Sequence, residues 1–367
     1  MSLNYGINGD ISVAAARAIT VASSTPIAIV ATTDSGPQGM NFYGSAETAI
    51  TAYAGATEGT LLDALKDIDA QATTCPIIVY AIDSVTADAA AMIAGVDALK
   101  NAYSVTGYRP DLIVCPEWSG TLTVATAMDA MATRLWATAI VDVTAANETE
   151  ALAFKANFGT RFVLLVGPEE VTINGRSVAG SAGWAGLIAY YDGASAFGWA
   201  ESHSNRVMKG VSSTTRLIDY ADGQDCEARR LRQAGIASVV RDEGWRTYGF
   251  ETTDIDPIWQ PLNRVRTFYK MLRAMMQAAK WARDRQADEL LYVKKSIEEF
   301  MRGLKGAGVA LGFEVFFDTE KNTKATVTNG QFFLTVRFQD MPTIRELNIE
   351  LVYVDDYSDV LLTIING

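Results

Sequence analysis

The residue types that carry most protein chemistry are scarce in this chain, and their spacing limits what they could do. There is one histidine, His203, in 367 residues. A Ser-His-Asp triad, a Cys-His pair or a multi-histidine metal site would each have to run through that single imidazole. Cys75, Cys115 and Cys226 are odd in number and widely spaced, a pattern of reduced, packed thiols and not of a metal or disulfide framework. Ala179-Gly-Ser-Ala-Gly183 is one residue away from a nucleophile elbow. The elbow needs a strand before it and an acid and then a histidine after it, whereas Asn-Gly-Arg-Ser precedes it here and His203 follows closely, so a loop is expected. Gly303-Leu-Lys-Gly-Ala-Gly-Val-Ala-Leu-Gly312 lacks both the dinucleotide fingerprint and a Lys-Ser/Thr phosphate loop, and it follows a helix, so it reads as a turn. Asp355-Asp356 and Glu298-Glu299 are adjacent carboxylates, which do not face each other on a strand or helix. These residues predict no catalytic, cofactor-binding or metal-ligating set. An α/β hydrolase or nucleotide-binding enzyme stays open as the alternative from another class, because fold alone does not exclude it.

One charge pattern stands out. Arg266, Lys270, Arg273, Gln277 and Lys280 recur at helical spacing, with Arg264, Arg283 and Arg285 nearby and Asp284 alone in opposition. In a chain of net charge −12 this is a concentrated cationic face: either a solvated helix surface or a docking surface for an acidic partner. The same net charge argues against nucleic-acid binding, since neutralising phosphates takes a cationic surface. Hydrophobic residues at 49% and charged residues at 20% fit a folded globular protein. The opening MSLNYGINGD has no basic n-region or apolar h-region, and no run of about 18 apolar residues occurs, so neither secretion nor membrane spanning is expected and synthesis should be cytoplasmic.

The elements that would position these residues follow from periodicity. Pro26–Val30, Pro76–Ile82, Asp111–Cys115, Ala139–Val143 and Arg161–Val166 are short apolar runs, separated by helical patterns at 58–68, 86–103, 124–136 and from Asn147. Continuous apolar strands between amphipathic helices predict an α/β fold, a parallel or mixed sheet flanked by helices. Helices are expected at 183–190 and 226–234 and a strand at 237–241. From Pro257 the texture changes to an α+β domain. Leu262–Arg285 reads as one long helix through Val265, Phe268, Tyr269, Leu272 and Met276, and a second helix covers 287–305. Strands are expected at 312–317, 330–338 and 345–354. The predicted organisation is an amino-terminal arm (1–22), an α/β domain (23–254), a carboxyl-terminal α+β domain (255–354) and a carboxyl-terminal arm (355–367). The extended terminal arms carry strand-like positions, Tyr5 and Ile7 at one end and Val352, Val354, Val360, Leu362 and Ile364 at the other, without an obvious home on their own body.

Several phrases in order resemble the contractile phage-type tail sheath family. They are Gly107-Tyr-Arg-Pro-Asp-Leu-Ile-Val-Cys-Pro116, Ala185-Gly-Leu-Ile-Ala189, Ser202-His-Ser-Asn205 leading to Lys209-Gly-Val211, and Leu231-Arg-Gln-Ala-Gly-Ile-Ala-Ser-Val-Val240. Arg246-Thr-Tyr-Gly-Phe-Glu-Thr-Thr253 and Leu262-Asn-Arg-Val-Arg-Thr267 continue the series. Ser204 and Glu251 depart from it, at positions where that family commonly has proline and arginine. The resemblance implies a structural subunit, not an enzyme, that needs no cofactor and forms stacked helical rings of sheath subunits around a tail tube protein. It implies baseplate and tail terminator proteins as further partners, with neither nucleic acid nor membrane among them, and a place in a virion tail assembled in the bacterial cytoplasm. A bacteriocin or secretion-type contractile injection system is the alternative within the family. On this view the arms pair with neighbouring subunits, and the stripe of Arg266, Lys270, Arg273 and Lys280 faces an acidic tube.

Overall fold

The computed structural model describes residues 18–21, 24–168, 170–355 and 357–366. Strand and helix alternate from β1 (Ile27–Thr33), which is followed by β2 (Gly39–Tyr43), α1 (Ala46–Ala52) and α2 (Leu61–Ala70). Next come β3 (Ile77–Asp83), α3 (Ala89–Ala98), α4 (Ala102–Thr106), β4 (Leu112–Val114), α5 (Leu122–Leu135) and β5 (Thr138–Asp142). α6 (Glu148–Lys155) and β6 (Val163–Gly167) complete the regular alternation. Local chemistry sets the helix starts: the Asn147 side chain accepts from the Glu150 amide at 3.0 Å, and Asp88 does the same for Ala91 at 2.7 Å.

A small antiparallel sheet interrupts the pattern. β7 (Glu170–Ile173) pairs with β8 (Arg176–Ala179) before α7 (Gly180–Ala194), and β9 (Val211–Thr214) adds to the other edge of β7. α8 (Glu227–Gln233), β10 (Ile236–Arg241) and β11 (Trp245–Tyr248) then return to the main sheet, whose order is β11-β10-β6-β5-β4-β1-β3-β2. Six central strands run parallel, and β2 and β11 are antiparallel edges, so the sheet is mixed. Alternate residues of β1 serve two cores: Ile27, Ile29 and Ala31 face α2 and α7, while Ala28 and Val30 face the layer of α3 and α5. Burial on both faces is why the strands read as unbroken apolar runs. Glycine matters where α7 crosses α2, because a Cβ at Gly186 would stand 2.9 Å from the backbone of Ile68.

The last third builds a separate core. α9 (Leu262–Ala278) ends seven residues earlier than its pattern suggested and gives way to 3-10 turns at Ala279–Ala282 and Ala287–Glu289. α10 (Leu290–Gly306) stops where Gly308 takes a left-handed φ of 76°. β12 (Ala310–Phe317) pairs antiparallel with β13 (Leu334–Asp340), and α11 (Lys324–Thr328) lies in the connection between them. Asn329-Gly330 closes α11 and does not join the two strands directly. Met271 and Met275 of α9 pack with Val293, Ile297 and Met301 of α10 against Val315, and Ile19 and Val21 lie on this cluster.

The carboxyl-terminal segment departs from expectation. Residues 345–354 form no strand: every described residue from 341 onward is exposed and none to 355 has regular structure. The run containing Val360, Leu362 and Ile364 is not extended but helical, in α12 (Ser358–Asn366), which buries nothing. A strand needs a partner edge, and among the described residues no sheet edge pairs with Val352 or Val354; without one, only the helix satisfies its own backbone. Tyr5 and Ile7 lie outside the described residues.

Candidate assembly surface

The cationic helix face points inward. Arg266 and Lys270 are 5% and 8% exposed, because α9 turns that stripe onto two buried carboxylates of the main sheet domain. Arg266 forks onto Asp192 of α7, with Nη1 donating to Oδ1 at 2.9 Å and Nη2 to Oδ2. Asp192 also accepts from the Thr25 hydroxyl, and its Oδ1 lies 2.8 Å from Nε2 of His203. One turn along, Lys270 Nζ stands 2.8 Å from Asp111 Oδ2 and donates to Thr25 Oγ1 at 3.2 Å. Arg273 donates to Asp111 Oδ1 at 2.6 Å and to the carbonyls of Leu135 and Trp136 at 2.8 and 3.1 Å. Three of the four expected tube-contacting residues are therefore engaged internally, where they bolt α9 to the sheet. Lys280, in the turn beyond the helix, is exposed, as are Arg283 and Arg285.

Electrostatics hold this bolt charged. Burial would raise the Asp192 carboxyl, but the Arg266 guanidinium, the His203 hydrogen bond and Lys270 outweigh it, leaving the group well below the usual carboxylate range. Asp111 behaves alike: burial raises it, and Lys270 and Arg273 win. His203 is fully buried, and burial pulls its pKa down against the opposing pull of Asp192, so the imidazole is neutral at pH 7. Its ring lies against Phe250, with centroids 5.0 Å apart, and its Nδ1 has no hydrogen-bond partner among the described residues.

The near-elbow segment is not a loop. Strand β8 runs straight into α7, so the strand–helix context of an elbow does exist. Ser181 is nonetheless fully buried, and its hydroxyl donates to Asp142 Oδ2 at 2.6 Å, sharing that carboxylate with Ser119. It is a helix-to-sheet tie. All three cysteines are buried, and among the described residues no cluster of His, Cys, Asp and Glu could hold a metal ion.

The unsatisfied chemistry of the molecule lies at the other end of α9. β12 and β13 pair with no further strand among the described residues, so each keeps an unpaired outer row of backbone donors and acceptors. From β13 the chain leaves the body through three ties to one corner. Asp340 receives Arg264 Nε with both oxygens at 2.9 Å, Thr343 Oγ1 accepts from Asn263 at 3.3 Å, and Arg345 comes within 3.7 Å of Glu251. Glu251 thus has a local reason to be acidic: it also takes Arg232 at 3.1 Å and the Phe250 amide at 2.6 Å. Ser204, the other departure from the family pattern, accepts the Gly249 amide at 2.9 Å. Beyond Arg345 every described residue of the tail is exposed, Ile349, Leu351 and Tyr353 at 83%, 97% and 89%. Exposed apolar runs of this length are uncommon on folded surfaces. No signal short of the partner-free run itself could have located this corner in the sequence.

Comparison with other proteins follows the same line. The chain is 33% identical over 313 residues, 80% of each chain, to a prophage major tail sheath protein of Pseudomonas aeruginosa strain UCBPP-PA14. It is 25% identical over 292 residues to the tail sheath protein of Escherichia phage P2, covering 77% of this chain and 73% of that one. Among solved structures, the sheath complex of the extracellular contractile injection system PVC in its contracted state superposes with a TM-score of 0.74 at 14% identity, covering 97% of this chain and 99% of that one. No protein-family model matches the chain.

Proposed function

The chain belongs to the tail sheath proteins, and from that premise we propose that it polymerises into stacked rings around a tail tube and shortens to drive the tube through a host envelope. The observation that carries this reading is the pairing of a two-stranded sheet open at both edges with a tail of exposed apolar residues that has no place on its own body. Strand addition joins the two: residues 345–354 of one copy extend the β12–β13 sheet of a neighbour. Each backbone hydrogen bond formed contributes roughly 0.5–1.5 kcal/mol net, so a tail of several such bonds holds neighbours together while their bodies rotate. Contraction is then a fall from a stored extended lattice to one with more subunit contact, with no nucleotide involved.

The tube-facing role passes from the buried stripe to the turn after α9, where Lys280, Arg283 and Arg285 are exposed. Baseplate and terminator proteins cap the polymer, and the site of action is a virion tail assembled in the bacterial cytoplasm. The division at residues 254/255 separates the sheet domain from this tube-facing part. The enzyme alternative lacks support at its two best residues, since Ser181 is sealed against Asp142 and His203 against Asp192. The two curated relatives named above are a prophage and a phage sheath protein, which favours a phage tail over a secretion-type machine.

The test is negative-stain microscopy of the chain co-expressed with its tube protein, with and without residues 341–367. Striated sheaths from the full chain and soluble monomers from the truncation are expected. Normal sheaths from the truncation would refute the tail's role, and discrete particles with turnover would refute the sheath.

A further inference from the structure

Away from the tail, a second surface is furnished for binding. At the amino ends of β1, β4 and β5 lies a groove of about 370 Å³ between the α4–β4 connection, the end of α5 and the end of α9. Of its four cations Arg273 is tied to Asp111, Lys280 stands at the rim, and Arg109 and Arg134 are exposed with no ion pair among the described residues. Its apolar lining is aromatic: Tyr103 and Tyr108 are 51% and 40% exposed, and Trp136 lies deeper. The Arg109 guanidinium sits 4.8 Å from the Tyr103 ring centre, and Tyr108 stacks on Phe42 with centroids 4.8 Å apart, so the patch is preformed. Exposed tyrosine beside arginine is the composition of binding hot spots.

The chain supplies a segment of the opposite character. Its last 22 residues, 346–367, hold five acids (Glu346, Glu350, Asp355, Asp356, Asp359) and no basic residue. Val360, Leu361 and Ile364 form one apolar stripe along α12, which Tyr357 just before the helix continues at the i, i+3, i+4, i+7 spacing, and all four are exposed. In the sequence, Asp355, Asp356 and Asp359 come just before and within the first positions of that stripe.

We propose that the groove of Arg109, Arg134, Tyr103, Tyr108 and Trp136 receives the acidic, apolar carboxyl-terminal helix of a second copy of the chain. The groove and the helix are different surfaces, so the contact is heterologous and propagates from copy to copy, as an open helical polymer requires. The inference rests on the sheath reading for its context and deepens it: 345–354 joins a neighbour's sheet edge, and the terminal helix seats beyond it. An acidic tube protein is the rival occupant.

The probe is a fluorescein-labelled peptide of residues 350–367, titrated by anisotropy into the full chain at low salt. Saturable binding is expected, weakened at least tenfold in Arg109→Glu/Arg134→Glu, a change that leaves Lys280, Arg283 and Arg285 intact for the tube. A peptide with Asp355→Lys, Asp356→Lys and Asp359→Lys should bind the parent at least tenfold less tightly and recover on the reversed-charge variant. Should that variant misfold by circular dichroism, Arg134→Cys/Asp359→Cys decides: a thiol cross-linker should give covalent ladders that neither single variant gives. No saturable binding, equal affinity for parent and variant, or loss of tube binding without loss of peptide binding overturns the inference. A chain that binds the peptide but never polymerises refutes the sheath reading and supports this contact; sheaths without ladders do the reverse.

Discussion

Replacing Asp192 with alanine removes the carboxylate on which Arg266, His203 and Thr25 converge, a group 2% exposed whose α9 partner Arg266 lies 74 residues along the chain. Arg266 would be left charged at 5% exposure. Breaking a buried pair from one side costs about 3–5 kcal/mol, because the surviving charge keeps its desolvation penalty. At about 2–4 °C per kcal/mol, the shift that holds for 150–250 residues, the melting temperature should fall by at most about 6–20 °C, since a longer chain shifts less. Asp192→Leu/Arg266→Leu should lose less than Asp192→Ala, since neither charge then remains buried. Urea unfolding of parent, both single variants and the double variant gives the coupling. The reasoning is refuted if Asp192→Ala lies within about 1 kcal/mol of the parent, or if the two single losses simply add.

Three further outcomes are expected. His203 is the sole histidine and its folded pKa is lowered, so the unfolded chain binds a proton that the folded chain refuses as pH falls below about 6.5. The stability advantage of the parent over His203→Gln should therefore shrink from pH 7 to pH 5, and a constant difference in urea midpoints would count against a neutral buried imidazole. Gly186→Ala should destabilise by about 1–3 kcal/mol, since its Cβ meets Ile68 backbone at 2.9 Å, whereas Gly303→Ala, with nothing within 4 Å, should be neutral or better by calorimetry. Deleting residues 355–367, of which none described is buried, should change stability by less than about 0.5 kcal/mol while abolishing polymer in sedimentation.

The central sheet was legible because its strands are buried on both faces, and uninterrupted apolar runs such as Ile77–Ile82 leave little choice. β2 and the β7–β8–β9 sheet were not, since they are short and half-exposed, as in Gly39–Tyr43, and carry no apolar run. On α9 the helical period was correct and its phase was not. Leu272 and Met276, two of the residues whose spacing marked the helix, are 42% and 54% exposed, and the buried face holds Met271, Met275, Arg266 and Lys270. Nothing local separates an arginine bound for solvent from one bound for Asp192, 74 residues away. The near-elbow showed the converse error, because a four-residue strand such as Arg176–Ala179 is too short to read against its loop-like composition. The terminal run was read as a strand from its apolar content, although the spacing of Tyr357, Val360, Leu361 and Ile364 already favoured a helix.

The ties at the foot of the tail give α9 a mechanical meaning. Any tension carried by residues beyond 345 enters the body at Asp340 and Thr343, whose partners Arg264 and Asn263 sit on the first turn of that helix. The same rod is riveted to the sheet two residues further on by Arg266 and again at Lys270 and Arg273. If the tail joins a neighbour as proposed, a pull between copies would reach the whole α/β body as torque on a stiff spar, instead of being dissipated by peeling a loop from its surface.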